Sequence, residues 1–531
     1  MISSNPSPSG IRKLVFTLFI VLAAGHVAGR ILSVSRVYEP DLSRPPEKVD
    51  DPRGPWPKVR PEPMPTHGDN DRSRWDTVRA LVDNGTYAIG DRDPARIGSD
   101  NKYGDAGIIT EDGWKTIDKV LDPETHKFYS SKPPFLPTLL AGEYWFLKKT
   151  FGWSITEQRF LVMRTILLTV NWLPFVIFLV LLARLADELG ATDWGRIFVV
   201  ASGCFATLMI PFATTLNNHT IAACSAMFAL YPALRMLAEN EDRGLRIEDG
   251  EAEEGFQSSI LHPRSSFLLA GFFAGFTACS ELPATSFLVS LFFIMFWLDR
   301  KRALTLYLPA AAIPIAFFFL TNYWAIGQLK PAYGEFGGPW YEYEGSHWLT
   351  KPGEVRHGID FAYLYENKAA YAFHLLLGHH GLFSLTPIFL LGLAGGVATL
   401  VAMARGRASE VSYDPGNTNA KTGTLTRPDR RNNLIAGLTI TLLVVVVGFY
   451  IINTGNYGGW TAGPRWLMWL TPFLLLSMQP AIDWLAPRRW GRIVAYLLLA
   501  ISVLSASYPA WNPWRHPWLY NWMEKLDWIR Y

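Results

Sequence analysis

The sequence predicts an all-α polytopic membrane protein with about eleven spanning helices and a long first loop outside the membrane. Three observations lead there. The 531 residues are 49% hydrophobic and 14% aromatic with only 18% charged, a balance unlike that of a soluble domain. Apolar runs of roughly 20 residues, long enough to cross about 30 Å of hydrocarbon, recur along the chain. Lys and Arg collect in alternate loops, as they do when those loops face the cytoplasm.

Composition also excludes classes. Net charge is only +3, so no global basic field attracts nucleic acid, which is not an expected partner. Cys204, Cys224 and Cys279 all lie inside apolar runs, at spacings that make neither a zinc site nor a disulfide framework. The cytoplasmic loops hold no Gly-rich phosphate loop and no Walker-type lysine motif. Nothing implies a nucleotide, and no cofactor is expected.

Taken in order, the runs fall at 13–33, 160–184, 196–215, 219–238, 265–280, 283–299, 303–321, 382–404, 433–453, 465–483 and 491–508. Arg12 and Lys13 precede the first and AGHVAG follows its apolar core, features shared with a cleaved signal peptide. With so many spans after it, the run reads as an uncleaved signal anchor. A cytoplasmic N-terminus places loops 185–195, 239–264, 299–302, 405–432 and 486–492 inside, where RGLR, HPR, DRKR, RGR, RPDRR and PRRWGR lie. This holds only if FLPTLLAGEYWFLKKTFG, 135–152, does not cross. That stretch is short and carries Glu143, Lys148 and Lys149, so it reads as a helix lying on the outer surface. The expected location is the cell (inner) membrane, with the C-terminal tail extracytoplasmic.

Outside loops then span 34–159 and 322–380. The first begins Pro-rich and reads as extended. Its character changes at NDRSRWDTVRALVDNG, where Trp75, Val78, Leu81 and Val82 recur at helical spacing with Arg72, Asp76 and Arg79 off that face. An amphipathic helix of about 14 residues is expected there, ended by Asn84-Gly85. Residues 1–404 read as one transmembrane module, 405–432 as a flexible cytoplasmic loop, and 433–531 as the last helices with their tail.

On this topology the polar residues that are hard to place collect on the outer side. They include Asp69-Asn70-Asp71, Lys132, Asn217-Asn218-His219, Ser280-Glu281, His379-His380 and NYGGWTAGPRW at 456–466. Ionisable groups at a membrane edge are costly unless paired, solvated or used.

A signal anchor, an outer loop with an acid opening an amphipathic helix, then Lys132-Pro133-Pro134 before an interfacial helix resembles the GT-C superfold of polyprenyl-phosphate-sugar-dependent transferases. The chain is similar to dolichyl-phosphate-mannose protein mannosyltransferase relatives and to RgtA/B/C/D-like glycosyltransferases. The likeness is best over 71–185 and recurs weakly at GGWTAGPRWLMWLTPFLLL. It implies transfer of a sugar from a polyprenyl-phosphate donor to a hydroxyl on a lipid, glycan or protein.

The resemblance implies an early acid as general base, here Asp71, with Asp69 as the near alternative. An aspartate in that place is equally an N-terminal helix cap. Lys132 and Arg465 are the candidates for the donor phosphate, Arg465 through its planar fork. Where relatives carry a second acid, this chain reads TTLNNHTIAA; Asn218 and His219, with Glu281, remain to bind substrate. His379 and His380 read as hydrogen-bonded loop residues, and no essential metal is expected. Two rivals stand beside the transferase: a polar-lipid transporter or flippase, and a GT-C-like scaffold without catalysis.

Overall fold

In hydrocarbon a chain must satisfy its backbone polar groups internally, and long runs of Leu, Val, Phe and Ala do so as helices. The computed structural model describes residues 8–37, 62–99, 101–248, 262–351, 354, 356–405 and 430–531. Most of the Pro-rich stretch and of the linker 405–432, and residues 249–261 of the linker 239–264, lie outside the described residues.

Among the described residues, seven helices are long and apolar enough to cross a membrane: Ser9–Ser33, Arg159–Leu189, Asp193–Phe212, Asn218–Glu239, Arg300–Ile326, Arg430–Asn453 and Arg489–Ser507. The chain is a polytopic helical protein. The other four expected runs are also helical but shorter or broken. Pro263–Ser280 and Leu282–Leu298 are split at Glu281, and Phe389–Ala404 is one short helix. The 465–483 run is a tight turn, Arg465–Leu470, followed by Thr471–Ser477 and Gln479–Leu485. Pro472 and Pro480 near the starts of these pieces remove the N–H groups that a continuous helix needs.

Small residues let the helices approach closely. A Cβ on Gly275 would lie 2.6 Å from the Ala311 carbonyl oxygen, and one on Gly271 would strike Tyr307. This four-residue glycine spacing seats Pro263–Ser280 on Arg300–Ile326. At one end of the bundle, Arg12 pairs with Asp187 at 2.6 Å, and Asp483 accepts from the Ala191 and Thr192 amides at 2.8 and 2.9 Å.

The first loop holds more order than its sequence declares. Four antiparallel strands align as Asp105–Ala106, Gly90–Arg92, Lys127–Ser130 and Lys119–Leu121. Strands of two to four residues leave no readable alternation, which is why none was expected. The second loop packs on this sheet: Leu121 donates to the Trp340 carbonyl at 3.0 Å, Arg92 to that of Glu344 at 2.9 Å, and Tyr343 meets Phe128 edge-on.

The expected amphipathic helix is Asp69–Arg79, continuing through a wider turn, Ala80–Asn84, to Gly85 at φ 67°. Gly85 supplies the left-handed conformation that ends it. Its polar face is not solvated, however. Arg72, Ser73, Arg74 and Asp76 are buried along with Trp75 and Val78, so the helix is enclosed rather than amphipathic. The following 135–152 stretch is the helix Phe135–Phe151, anchored by Tyr144 and Lys148 to Asp83 at 2.9 and 2.7 Å. It is not among the seven spanning candidates.

Candidate active site

Asp71 occupies the third position of its helix, where a carboxylate can reach back to the free amides of the first turn. One oxygen accepts from the Gly68 N–H at 2.8 Å; the other accepts from the His67 N–H at 2.8 Å and the Thr215 hydroxyl at 3.0 Å. Asp71 is 1% exposed. Burial raises its carboxyl above the ordinary range, opposed by these amides and by Arg72. Asp69 faces away, accepting from the Ile117 amide at 2.9 Å and pairing with Arg72 at 3.2 Å.

One turn further on, Arg74 crosses to the bundle. Its guanidinium donates to the Asn70 carbonyl at 2.7 Å and to the Asn218 side-chain oxygen at 2.6 Å. Asn218 opens the helix that starts there, and its amide donates to Glu281 at 2.8 Å and to the Ser280 carbonyl at 2.7 Å. His219 Nδ1 meets the same Glu281 oxygen. Asn218, His219 and Glu281 are thus one cluster, built where the Pro263–Ser280 and Leu282–Leu298 helices part.

Lys132 pairs with Asp118 at 2.9 Å, while its backbone N–H donates to Ser130 Oγ at 3.1 Å. Burial pushes the Lys132 ammonium down, partly offset by Asp118. Burial pushes the Asp118 carboxyl up, yet Lys132, Arg465 and Arg74 hold it below its usual range. Burial and the neighbouring Arg465 bring Arg74 down to about 10.

Arg465 lies 4.8 Å over the Trp514 ring, is 8% exposed, and its Nε is buried without a hydrogen-bond partner. Trp514 Nε1 in turn donates to Thr215 Oγ at 3.3 Å. Arg465 therefore connects to Asp71 through Trp514 and Thr215.

The structure gathers every sequence-predicted site residue except Asp69 around one buried, mixed-charge centre. Three cations, Arg74, Lys132 and Arg465, share it with Asp71, Asp118 and Glu281. Sequence reasoning missed Arg74, Asp118, Thr215 and Trp514. Arg74 was findable, since it lies three residues after Asp71 and so on the same helix face. Asp118 sits in TIDKV with no pattern around it. His379 and His380 lie outside this centre.

No protein-family model matches the chain, and no curated protein matches it. Among solved structures it is similar to the archaeal oligosaccharyltransferase AglB from Archaeoglobus fulgidus. In complex with an inhibitory peptide and a dolichol-phosphate, that structure gives a TM-score of 0.43 at 12% identity, covering 97% of this chain and 57% of that one. In complex with Zn and sulfate it gives 0.41 at 10%, covering 96% and 55%. Tethered to an acceptor peptide with the NVT sequon it gives 0.42 at 12%, covering 97% and 57%. The chain spans little more than half the length of these structures.

Proposed function

We propose that the chain is a membrane glycosyltransferase that moves a sugar from a polyprenyl-phosphate donor to an acceptor hydroxyl on the extracytoplasmic face. The observation that carries this reading is the enclosed centre in which Arg74, Lys132 and Arg465 gather around Asp118, with Arg465 linked through Trp514 and Thr215 to the Asp71 carboxylate that two backbone amides hold. Asp71 takes the proton of the acceptor hydroxyl while that oxygen bonds the anomeric carbon from the side opposite the phosphate. The bond from that carbon to the phosphate oxygen breaks, and the electron pair leaves with the polyprenyl phosphate. Inversion follows. A base in this role contributes roughly 10²–10⁴-fold in rate.

Lys132 and Arg465 receive the departing charge. Arg465 suits the task best, because a guanidinium with an unpartnered Nε can chelate phosphate oxygens. Lys132 turns from Asp118 toward the phosphate or bridges both. Asn218, His219 and Glu281 bind the sugar or the acceptor. The tail of the donor lies between helices in the bilayer of the cell (inner) membrane. The N-terminus is cytoplasmic and the C-terminal tail extracytoplasmic.

Mass spectrometry of surface glycolipids and glycans tests this, comparing the native strain, a deletion, and the deletion complemented with Asp71→Asn that reaches the membrane. Loss of one sugar with accumulation of lipid-linked donor, in both deletion and variant, is the expected result. Native glycans from Asp71→Asn would leave Asp71 as a helix cap alone. A deletion without any glycan change would favour a transporter or an inactive scaffold.

A further inference from the structure

A second cluster of ligand-type side chains lies apart from the centre around Asp71. Glu366 follows a tight turn, Ile359–Leu364, in the second loop; His374 sits in the last turn of the helix Lys368–Leu376; His379 is in the loop that follows. One ligand atom from each lies within 4.8 Å of the others. The loop returns closely at Gly378, where a Cβ would run into His374 Nδ1. The His374 and His379 rings stack at 4.1 Å.

A buried, unpartnered nitrogen and a further oxygen beside the cluster equip it for a cation. His374 Nδ1 is buried with no hydrogen-bond partner. The Tyr531 hydroxyl bridges two of the groups, 2.5 Å from His379 Nε2 and donating to Glu366 Oε1 at 2.9 Å. His379 Nδ1 faces His380 Nδ1 at 2.5 Å, and Tyr457 donates to the other Glu366 oxygen at 2.5 Å. Such outer contacts fix the tautomer of a ligating imidazole and the angle of a ligating carboxylate.

We propose that Glu366, His374 and His379 bind a zinc-class divalent ion, with the Tyr531 oxygen as fourth ligand. Two imidazoles with two oxygens suit zinc and not magnesium or calcium, which take oxygen sets. Four protein ligands close the site, so the ion is structural. Binding through the phenol oxygen releases its proton to solvent. The ion fastens the segment around Tyr531 to the second loop and, through Tyr457, to Gly458, which packs against Arg465. This revises the sequence expectation that no metal is needed, and it stands independently of the transferase reading.

The test uses the full chain purified in detergent, stripped with chelator, titrated with Zn²⁺ alone, and desalted before metal analysis, with Mg²⁺ as control. The native chain should retain about one zinc, unfold at higher temperature with it, and ignore magnesium. Glu366→Gln with His374→Gln should weaken zinc at least tenfold. His374→Cys loaded with Co²⁺ should show a thiolate-to-cobalt absorption band that the native chain lacks. That band decides the matter even if the double variant fails to fold. No retained zinc, unchanged retention in the folded double variant, or no band from His374→Cys would overturn the site.

Discussion

Arg74 and Asn218, 144 residues apart, are joined by a 2.6 Å hydrogen bond that ties the first loop to the start of a spanning helix. The same Asn218 orients Glu281. Arg74 therefore positions Glu281 through Asn218. Arg74→Lys keeps the charge and loses the fork, so the Asn70 and Asn218 contacts cannot both be made. We expect about 2 kcal/mol of lost stability and a larger loss in kcat than in KM for donor. Equal shifts in a folded variant would assign Arg74 to donor binding instead.

Lys132 and Asp118 form a largely enclosed pair, with side chains 19% and 11% exposed. Removing one partner leaves the other charge buried. Asp118→Asn should cost about 3 kcal/mol, and Asp118→Asn combined with Lys132→Met should recover part of it. Thermal unfolding of the native chain, Asp118→Asn, Lys132→Met and the double variant measures the coupling. Additive losses would mean that the two charges do not depend on one another.

Gly458 has φ 91°, and a Cβ there would lie 2.9 Å from Arg465 Nε. Gly458→Ala carries about 1–2 kcal/mol of backbone strain and also pushes the guanidinium off Trp514. A displacement near 1 Å can cost about 100-fold in rate, so activity should fall far more than stability. Sugar transfer by a membrane preparation, normalised to folded protein, checks it. Unchanged transfer would remove Arg465 from the reaction.

His67 precedes the site helix and is buried against Arg36 and Arg30, with Asp71 donating no proton to it and accepting from its backbone instead. Burial first, then those arginines, bring its imidazole down to about 3. The folded value lies below the unfolded one, so the unfolded chain binds the extra proton. Stability from this group is complete above about pH 6.5 and is lost as pH falls toward 3, by about 1.4 kcal/mol per unit. His67→Gln should flatten the acid limb of the melting temperature against pH. An unaltered limb would place the acid sensitivity elsewhere.

The spanning helices were legible because their signal is length and apolarity, which do not depend on partners. The end of the site helix at Gly85 was legible for the same reason, being a local backbone demand. Its surroundings were not. Arg72 and Asp76 look solvated at helical spacing, yet both are buried, Arg72 donating to the Lys115 carbonyl. Asp71 was found as an acid before a helix. Its contact with Thr215 is set by tertiary folding, and nothing in TTLNNHT announces it. The breaks in 465–483 were visible as Pro472 and Pro480, and apolar length alone hid their effect.

The strand Lys127–Ser130 runs straight into Lys132 with only Ser131 between. Along it, buried Phe128 and Ser130 alternate with the more open Lys127 and Tyr129. A slip of one residue would reverse that alternation and carry the chain about 3.3 Å along its axis. Lys132 would then leave Asp118 altogether. This four-residue ladder acts as a gauge that sets how far an ammonium group is fed into the charged centre. Inserting or deleting one residue between 122 and 131 would therefore disable the charged centre without altering any of its side chains.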